Sequence, residues 1–259
     1  MKLSLSRASQ FIGARLVNTE DAEITSVTTD TREIRQGSLF VALKGARFDG
    51  HDFALDAINK GAIAVLSQKD ETCFARPIPL LVVDDTYKAL LSLAAGYRSL
   101  LDLSVVAVTG SVGKTSTKDM IASILQTAVK TTKTEGNFNN HIGVPKTIFS
   151  ITEEHRAAVI EMGMNHEGEI SVLSKTACPD MAVITNIGES HIENLKTREN
   201  ILKAKLEVLD GMSPTAPVII NADNDLLGTI NEIGEHRIIK CGFENEDAFI
   251  TASDINETP

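Results

Sequence analysis

The stretch VAVTGSVGKTSTKDM, residues 106–120, decides the fold. Residues 103–109 are an apolar, β-branched run that suits a buried strand, and after it Met120, Ile121, Ile124, Leu125 and Ala128 recur at helical spacing. A turn with two glycines joins strand to helix. Gly110 and Gly113 let the backbone approach an anion, the N–H groups that open the helix point toward it, and the helix dipole favours negative charge there. Lys114 can then reach the β- and γ-phosphates of a nucleotide, and the Thr115 hydroxyl is placed to meet Mg2+. Ser111, Val112 and Ser116 complete the loop and the first helical turn. The longer form of this loop has a glycine six residues before the lysine; here that residue is Val108, which leaves the short form GxxGKT. Taken alone, the stretch is also a glycine-containing turn with a surface lysine. A strand before it and a helix after it favour the phosphate.

Outward from the loop the chain alternates. Strands are expected at 158–161, 181–186, 218–221 and 237–241, separated by helical segments such as 199–209. On the amino-terminal side, short strands are expected at 39–43, 62–66 and 80–83. HDFALDAINKG forms a helix closed by Gly61, and Tyr87, Leu90, Leu91, Ala94 and Tyr97 give the next helix an apolar face. The fold class is therefore α/β: a small amino-terminal α/β domain, residues 1–100, then a mostly parallel P-loop α/β domain, residues 101–259. The boundary falls near 99–103, and ligands belong at the carboxyl ends of the strands.

Composition is that of an ordinary globular chain: 259 residues, 42% apolar and 23% charged. A net charge of −10 with no Lys/Arg cluster argues against nucleic acid as the main partner. No apolar run approaches a membrane span, and MKLSLSRASQFIGARL lacks the apolar core of a signal peptide, so a cytoplasmic chain is expected. Cys73, Cys178 and Cys241 have no metal-ligand spacing and are expected to be small buried hydrophobes.

Several side chains gather at the predicted strand ends. Glu161 directly follows the apolar AAVI, which puts a carboxylate on the edge of the phosphate loop, where it could bind the Mg2+ of a nucleotide. Asn186 closes the next strand, and IGESHIEN after it brings His191 to the same edge. In ILKAKLEVL, Lys203 and Lys205 are two apart and so lie on different helix faces. Each of these alone is more often a surface or structural residue; their convergence is what favours a site.

Five stretches in fixed order, TGSVGKTS, EGNFNNHIGVP, VIEMGMNHEGEI, VITNIGESHIEN and ILKAKLEVL, resemble the Mur ligases, the ATP-dependent amide-forming enzymes of peptidoglycan precursor synthesis. The amino-terminal TTDTREIRQGSLFVALKGARFDGHDF resembles the UDP-binding domain of that family. NFNNHIGVP with EMGMNHEGEI is closest to the members that add D-alanyl-D-alanine to UDP-N-acetylmuramoyl-tripeptide. The resemblance implies roles. Gly110, Ser111, Val112, Gly113, Lys114, Thr115 and Ser116 would bind ATP, with Asn186 shaping its pocket. Lys114, Glu161, His191 and Lys205 would be the catalytic group. Thr115, Glu161, His191 and a carbamylated Lys205 would hold magnesium, and Asn139 and Asn140 would lie between ATP and the substrate. Thr28, Asp30, Thr31, Arg32, Lys44, Phe48 and His51 would meet the uridine diphosphate, although TTDTR also reads as a capped turn and His51 as part of a helix start.

The implied cofactors are ATP and Mg2+, and the implied partners are small molecules, with no nucleic acid, no membrane and a monomeric chain. The family carries a third, carboxyl-terminal ligase domain, so the 259 residues correspond to the first two, and ligand binding with little ligation is expected. Three other readings stand beside this one: a member that adds the third amino acid, a folylpolyglutamate synthase relative, and a non-catalytic module that binds ATP and the UDP precursor.

Overall fold

The computed structural model describes residues 1–252; residues 253–259, the end of the expected second domain, lie outside the described residues. The chain divides into two compact units, Met1–Leu101 with Ile148–Thr152, and Asp102–Thr147 with the chain from Glu153 onward. The division differs from a single cut near residue 100. Residues 148–152 belong with the first unit, where the Tyr97 hydroxyl donates to the Ile151 carbonyl at 2.7 Å.

The first unit begins with β1 (Leu3–Ser4), α1 (Leu5–Ile12), β2 (Arg15–Val17), β3 (Glu23–Ile24), β4 (Ser26–Thr28) and β5 (Ser38–Val41). It continues with α2 (Ala54–Asn59), β6 (Ala62–Ser67), β7 (Leu80–Val82) and α3 (Thr86–Arg98). The sheet order is β2-β7-β6-β5-β4; β4 to β7 run parallel and β2 pairs antiparallel with β7. All four residues of β5 are buried, as a strand covered on both faces requires. Phe40, Ala42, Val65 and Leu80 pack with Ala54 and Ala57 of α2 in one core cluster. Helices α1 and α3 pack closely because Gly96 has no side chain: a Cβ there would sit 2.3 Å from Phe11 Cγ.

The second unit opens with β8 (Ser104–Thr109), α4 (Lys114–Gln126), β9 (Thr131–Lys133), α5 (Gly143–Ser150, whose residues from Ile148 on count with the first unit), β10 (Ala157–Glu161) and α6 (Glu169–Ala177). β11 (Met181–Ile184), α7 (Ile192–Leu195), α8 (Arg198–Leu206), β12 (Val218–Asn221), β13 (Ile238–Gly242) and β14 (Ile250–Thr251) follow. Among the described residues the sheet has seven strands in the order β14-β13-β12-β11-β8-β10-β9. Every pair is parallel. From β8 the chain moves out to β9, whereas from β11 it moves the other way to β12. Adjacent strands whose connections diverge form a crevice at their carboxyl ends, and ligands bind in such crevices.

Three expectations need correction. Met120 and Ile124 are 67% and 70% exposed. The inward face of α4 is instead Lys118, Ile121, Ala122 and Leu125, and Ala128 lies past the helix end. A lysine on the buried stripe shifts the apparent apolar face by about a quarter of a turn. Cys73 and Cys178 are exposed and Cys241 is half-buried; Cys178 ends α6 with a φ of 45°, a position set by chain reversal and not by packing. Strand β11 ends at Ile184, so Asn186 belongs to the loop beyond it. No helix among the described residues is long and apolar enough to cross a membrane.

Candidate functional site

The register of the central strands brings the site together. Glu161 of β10 pairs with Val108 of β8, and Ile184 of β11 pairs with Thr109, so three chain segments leave the sheet at one edge. Gly110 follows Thr109 with φ 149°, and a Cβ on it would lie 1.9 Å from Thr185 Oγ1, so only glycine lets the loop press against the β11 segment. Gly113 caps α4 with φ 80°, and Lys114, Thr115 and Ser116 follow in the first turn. The N–H groups of that turn have no partners within the helix. The Ser111 and Val112 amides do not face outward with them: both donate to Asn186 Oδ1, at 3.1 and 2.9 Å. Asn186 thus fastens the loop across the crevice, aided by Thr185 Oγ1 donating to the Val112 carbonyl at 2.6 Å and the Gly188 amide donating to Ser111 Oγ at 2.9 Å. The Lys114 ammonium donates to the Gly110 and Ser111 carbonyls at 2.8 and 3.2 Å; burial lowers its pKa, opposed by the charge of Glu161.

Behind the loop, Glu161 is fully buried. Its Oε2 accepts from Thr115 Oγ1 at 3.0 Å and its Oε1 from Asn139 Nδ2 at 2.8 Å. A hydroxyl and a carboxylate touching at a helix N-terminus are hard oxygen donors of the kind Mg2+ prefers. Asn140 faces elsewhere: its side chain accepts from the Ile142 and Gly143 amides at 3.0 Å and leads into α5. Among the described residues no group of three His, Cys, Asp or Glu side chains could hold a metal, so a cation here would need the hydroxyl and oxygens of a ligand as well.

Lys205 and His191 supply the opposite charge pattern. Lys205 is 2% exposed, and among the described residues its ammonium makes neither a hydrogen bond nor an ion pair. Burial, and then the charge of Lys114, pushes its pKa down to about 7. His191 opens α7 in the left-handed region, φ 65°; burial, then Lys205 and Lys114, hold its pKa below the usual range. Lys203, on the other face of α8, is exposed and pairs with Glu167.

The expected substrate residues of the first unit occupy the carboxyl ends of β4 and β5. Thr28 Oγ1 accepts from the Asp30 amide at 3.0 Å, and Asp30 Oδ1 from the Arg32 amide at 2.8 Å, with Thr31 inside this turn. Arg32 extends outward while pairing with Asp30. Lys44 pairs with Asp49 in an isolated antiparallel bridge, and Phe48 between them is 72% exposed. His51 is buried with both ring nitrogens engaged: Nδ1 meets Asp49 Oδ1 at 2.5 Å and Nε2 accepts from the Gln68 amide at 3.0 Å. Burial would raise the Asp49 pKa, but hydrogen bonds from His51 and Lys69 drive it well below the ordinary range.

Two contributors escaped the sequence reading. Lys118 is 1% exposed and donates to the Thr134 and Gly136 carbonyls, while Thr134 Oγ1 accepts from the Glu161 amide at 3.0 Å. The only signal for Lys118 was its place one turn after Lys114, on the same helix face.

Known proteins share this architecture. The chain is 44% identical over 229 residues to UDP-N-acetylmuramoyl-tripeptide–D-alanyl-D-alanine ligase of Bacillus subtilis, a match covering 88% of the chain and 50% of the relative. A crystal structure of MurF from Acinetobacter baumannii superposes with a TM-score of 0.90 at 34% identity, covering 99% of this chain and 56% of that one. MurF ligase from Thermotoga maritima in complex with ADP gives 0.76 at 32% identity, covering 85% and 51%. The chain spans about half the length of the curated relatives it matches. The family description "Mur ligase family, catalytic domain" matches residues 23–98 and "Mur ligase middle domain" matches residues 108–259. With more than half of its length matching the middle domain, the chain belongs to the Mur ligase family.

Proposed function

We propose that the chain carries the nucleotide and UDP-precursor sites of an ATP-dependent ligase that joins D-alanyl-D-alanine to UDP-N-acetylmuramoyl-tripeptide in the cytoplasm. The observation that carries this reading is the Thr115–Glu161–Asn139 network, built on the fully buried Glu161 carboxylate directly behind the phosphate loop, in a chain similar to relatives bearing that ligase's name. ATP would lie along the loop, its phosphates against the first turn of α4 and Lys114. Thr115, Glu161 and His191 would hold Mg2+, which supplies charge neutralisation on the phosphates.

Lys205 as it stands is a cation and cannot join that set. A lysine must be neutral to add CO2, and its burial without an anionic partner, with a pKa near 7, favours this form. Carbamylation would turn the charge negative beside His191 and Lys114. In the reaction, the terminal carboxylate of the tripeptide attacks the γ-phosphorus, the bond to the bridging oxygen breaks, and ADP leaves. The amine of D-alanyl-D-alanine then attacks the acyl carbon, phosphate departs, and the amine gives up a proton. Lys114 keeps the transferred group in line. Phe48, Arg32 and Lys44 at the edge of the first sheet would meet the uridine diphosphate, with His51 and Asp49 fixing the loop that presents Phe48.

The test is calorimetric titration with UDP-N-acetylmuramoyl-tripeptide and its dipeptide counterpart, with and without Mg-ATP. Preference for the tripeptide form supports the assignment. Equal or tighter binding of the dipeptide form points to a ligase that adds the third residue, and failure of a folded chain to bind either overturns the UDP-precursor site.

A further inference from the structure

A lysine ammonium inside a protein is costly unless its three donors and its charge are all met. Lys118 meets that condition in a particular place. Its Nζ donates to the Thr134 carbonyl at 2.8 Å and to the Gly136 carbonyl at 3.0 Å, lies 3.9 Å from Glu161 Oε2, and lies 3.4 Å from Asp119 Oδ1. Thr134 in turn receives the Glu161 amide through its hydroxyl, and residues 134–136 lead directly to Asn139, whose amide donates to Glu161 Oε1. Helix α4 therefore sends two side chains to one carboxylate oxygen, Thr115 from its first turn and Lys118 from its second, while Lys118 also ties down the segment that supplies the other oxygen's partner.

We propose that Lys118 is a positioning residue, whose buried ammonium fixes the orientation of the Glu161 carboxylate and of the Asn139 segment, and thereby sets the metal dependence of nucleotide binding. The inference rests on the ATP and Mg2+ reading of the preceding subsection.

Charge alone predicts the opposite sign. An ammonium 3.9 Å from the carboxylate competes with a divalent cation for it, so removing that charge should strengthen metal binding. Loss of positioning should weaken it, because a ligand freed to rotate must be ordered again when the cation arrives.

The experiment is calorimetric titration of ATP, once with Mg2+ and once with EDTA, on the wild type, Lys118→Met and Lys118→Arg. The expected result is ATP affinity in EDTA within about twofold of wild type for both variants, with the gain from Mg2+ falling about tenfold in Lys118→Met and about threefold in Lys118→Arg. Lys118→Arg keeps the charge and displaces it, so it decides the matter if Lys118→Met does not fold. A Mg2+ gain that is unchanged or larger in the folded variants overturns the proposal, leaving Lys118 a packing residue or a competing charge. A wild type that shows no Mg2+ gain overturns the nucleotide reading, and this inference with it, so the two failures are distinguishable.

Discussion

Both units place their candidate residues at the carboxyl ends of parallel strands, yet the two edges are built differently. In the second unit the polar side chains are bonded across elements around a fully buried carboxylate: Thr115 of α4 to Glu161 of β10, Asn139 to the same carboxylate, and Asn186 to the phosphate loop. In the first unit Thr28, Asp30 and Arg32 bond within their own turn, Phe48 and Arg32 reach outward, and the His51–Asp49–Lys69 group ties its loop to a neighbouring segment. An edge that does chemistry must hold charge at fixed geometry in a low dielectric. An edge that only grips a ligand can leave its contact groups exposed on a firm loop.

That contrast can be broken most severely at Lys205. Its folded pKa of about 7 lies below the usual lysine value, so the folded chain binds fewer protons than the unfolded one between pH 7 and 10.5. Stability should rise with pH across that window, and the burden of the buried charge is fully present below it. In CO2-free buffer at pH 6, Lys205→Met should stabilise the chain by about 3–5 kcal/mol, a gain that shrinks toward pH 10, measured by urea unfolding. A constant gain at all pH values would mean that Lys205 is not charged and buried as described.

The next effect is smaller and concerns binding. Lys114→Met should weaken Mg-ATP binding by about 3 kcal/mol, the scale of a lost charge-assisted contact, while calorimetry of the UDP precursor stays unchanged. In the first unit, Asp49→Ala removes acceptors from a buried histidine and should cost about 1–2 kcal/mol of stability, again read by urea unfolding. Phe48→Ala should be smallest in stability, within about 0.5 kcal/mol, because the ring is exposed. It should still weaken UDP-precursor binding about fivefold if that ring stacks on the base. A Phe48 variant that destabilised the chain and left binding intact would reverse the contrast between the edges.

How far these features could be read in advance follows the same division. The strand, the two glycines and the helix around Lys114 have local chemical signatures, and Glu161 stands at the end of an apolar run, so the second edge was visible from spacing. The proposed substrate edge came only from resemblance, since a capped turn and an exposed ring have no spacing of their own. Lys118 was hidden because a lysine in an amphipathic pattern counts as solvent-facing, and only the Thr134 and Gly136 carbonyls, brought in by β9, explain its burial. Strands β4 and β9 have three residues each, too short for alternation to show. Residues 148–152 join the first unit through a tertiary hydrogen bond to Tyr97, which no local pattern encodes.

The central claim is that one edge holds the nucleotide and the other the UDP precursor. Amide hydrogen exchange tests it most directly, with Mg-ATP and UDP-N-acetylmuramoyl-tripeptide added separately to the same chain. The account predicts that Mg-ATP slows exchange at residues 110–117 and 185–191, and that the UDP precursor slows it at residues 28–32 and 44–51. A UDP precursor that protects residues 110–117 and leaves 28–32 and 44–51 unchanged would contradict it.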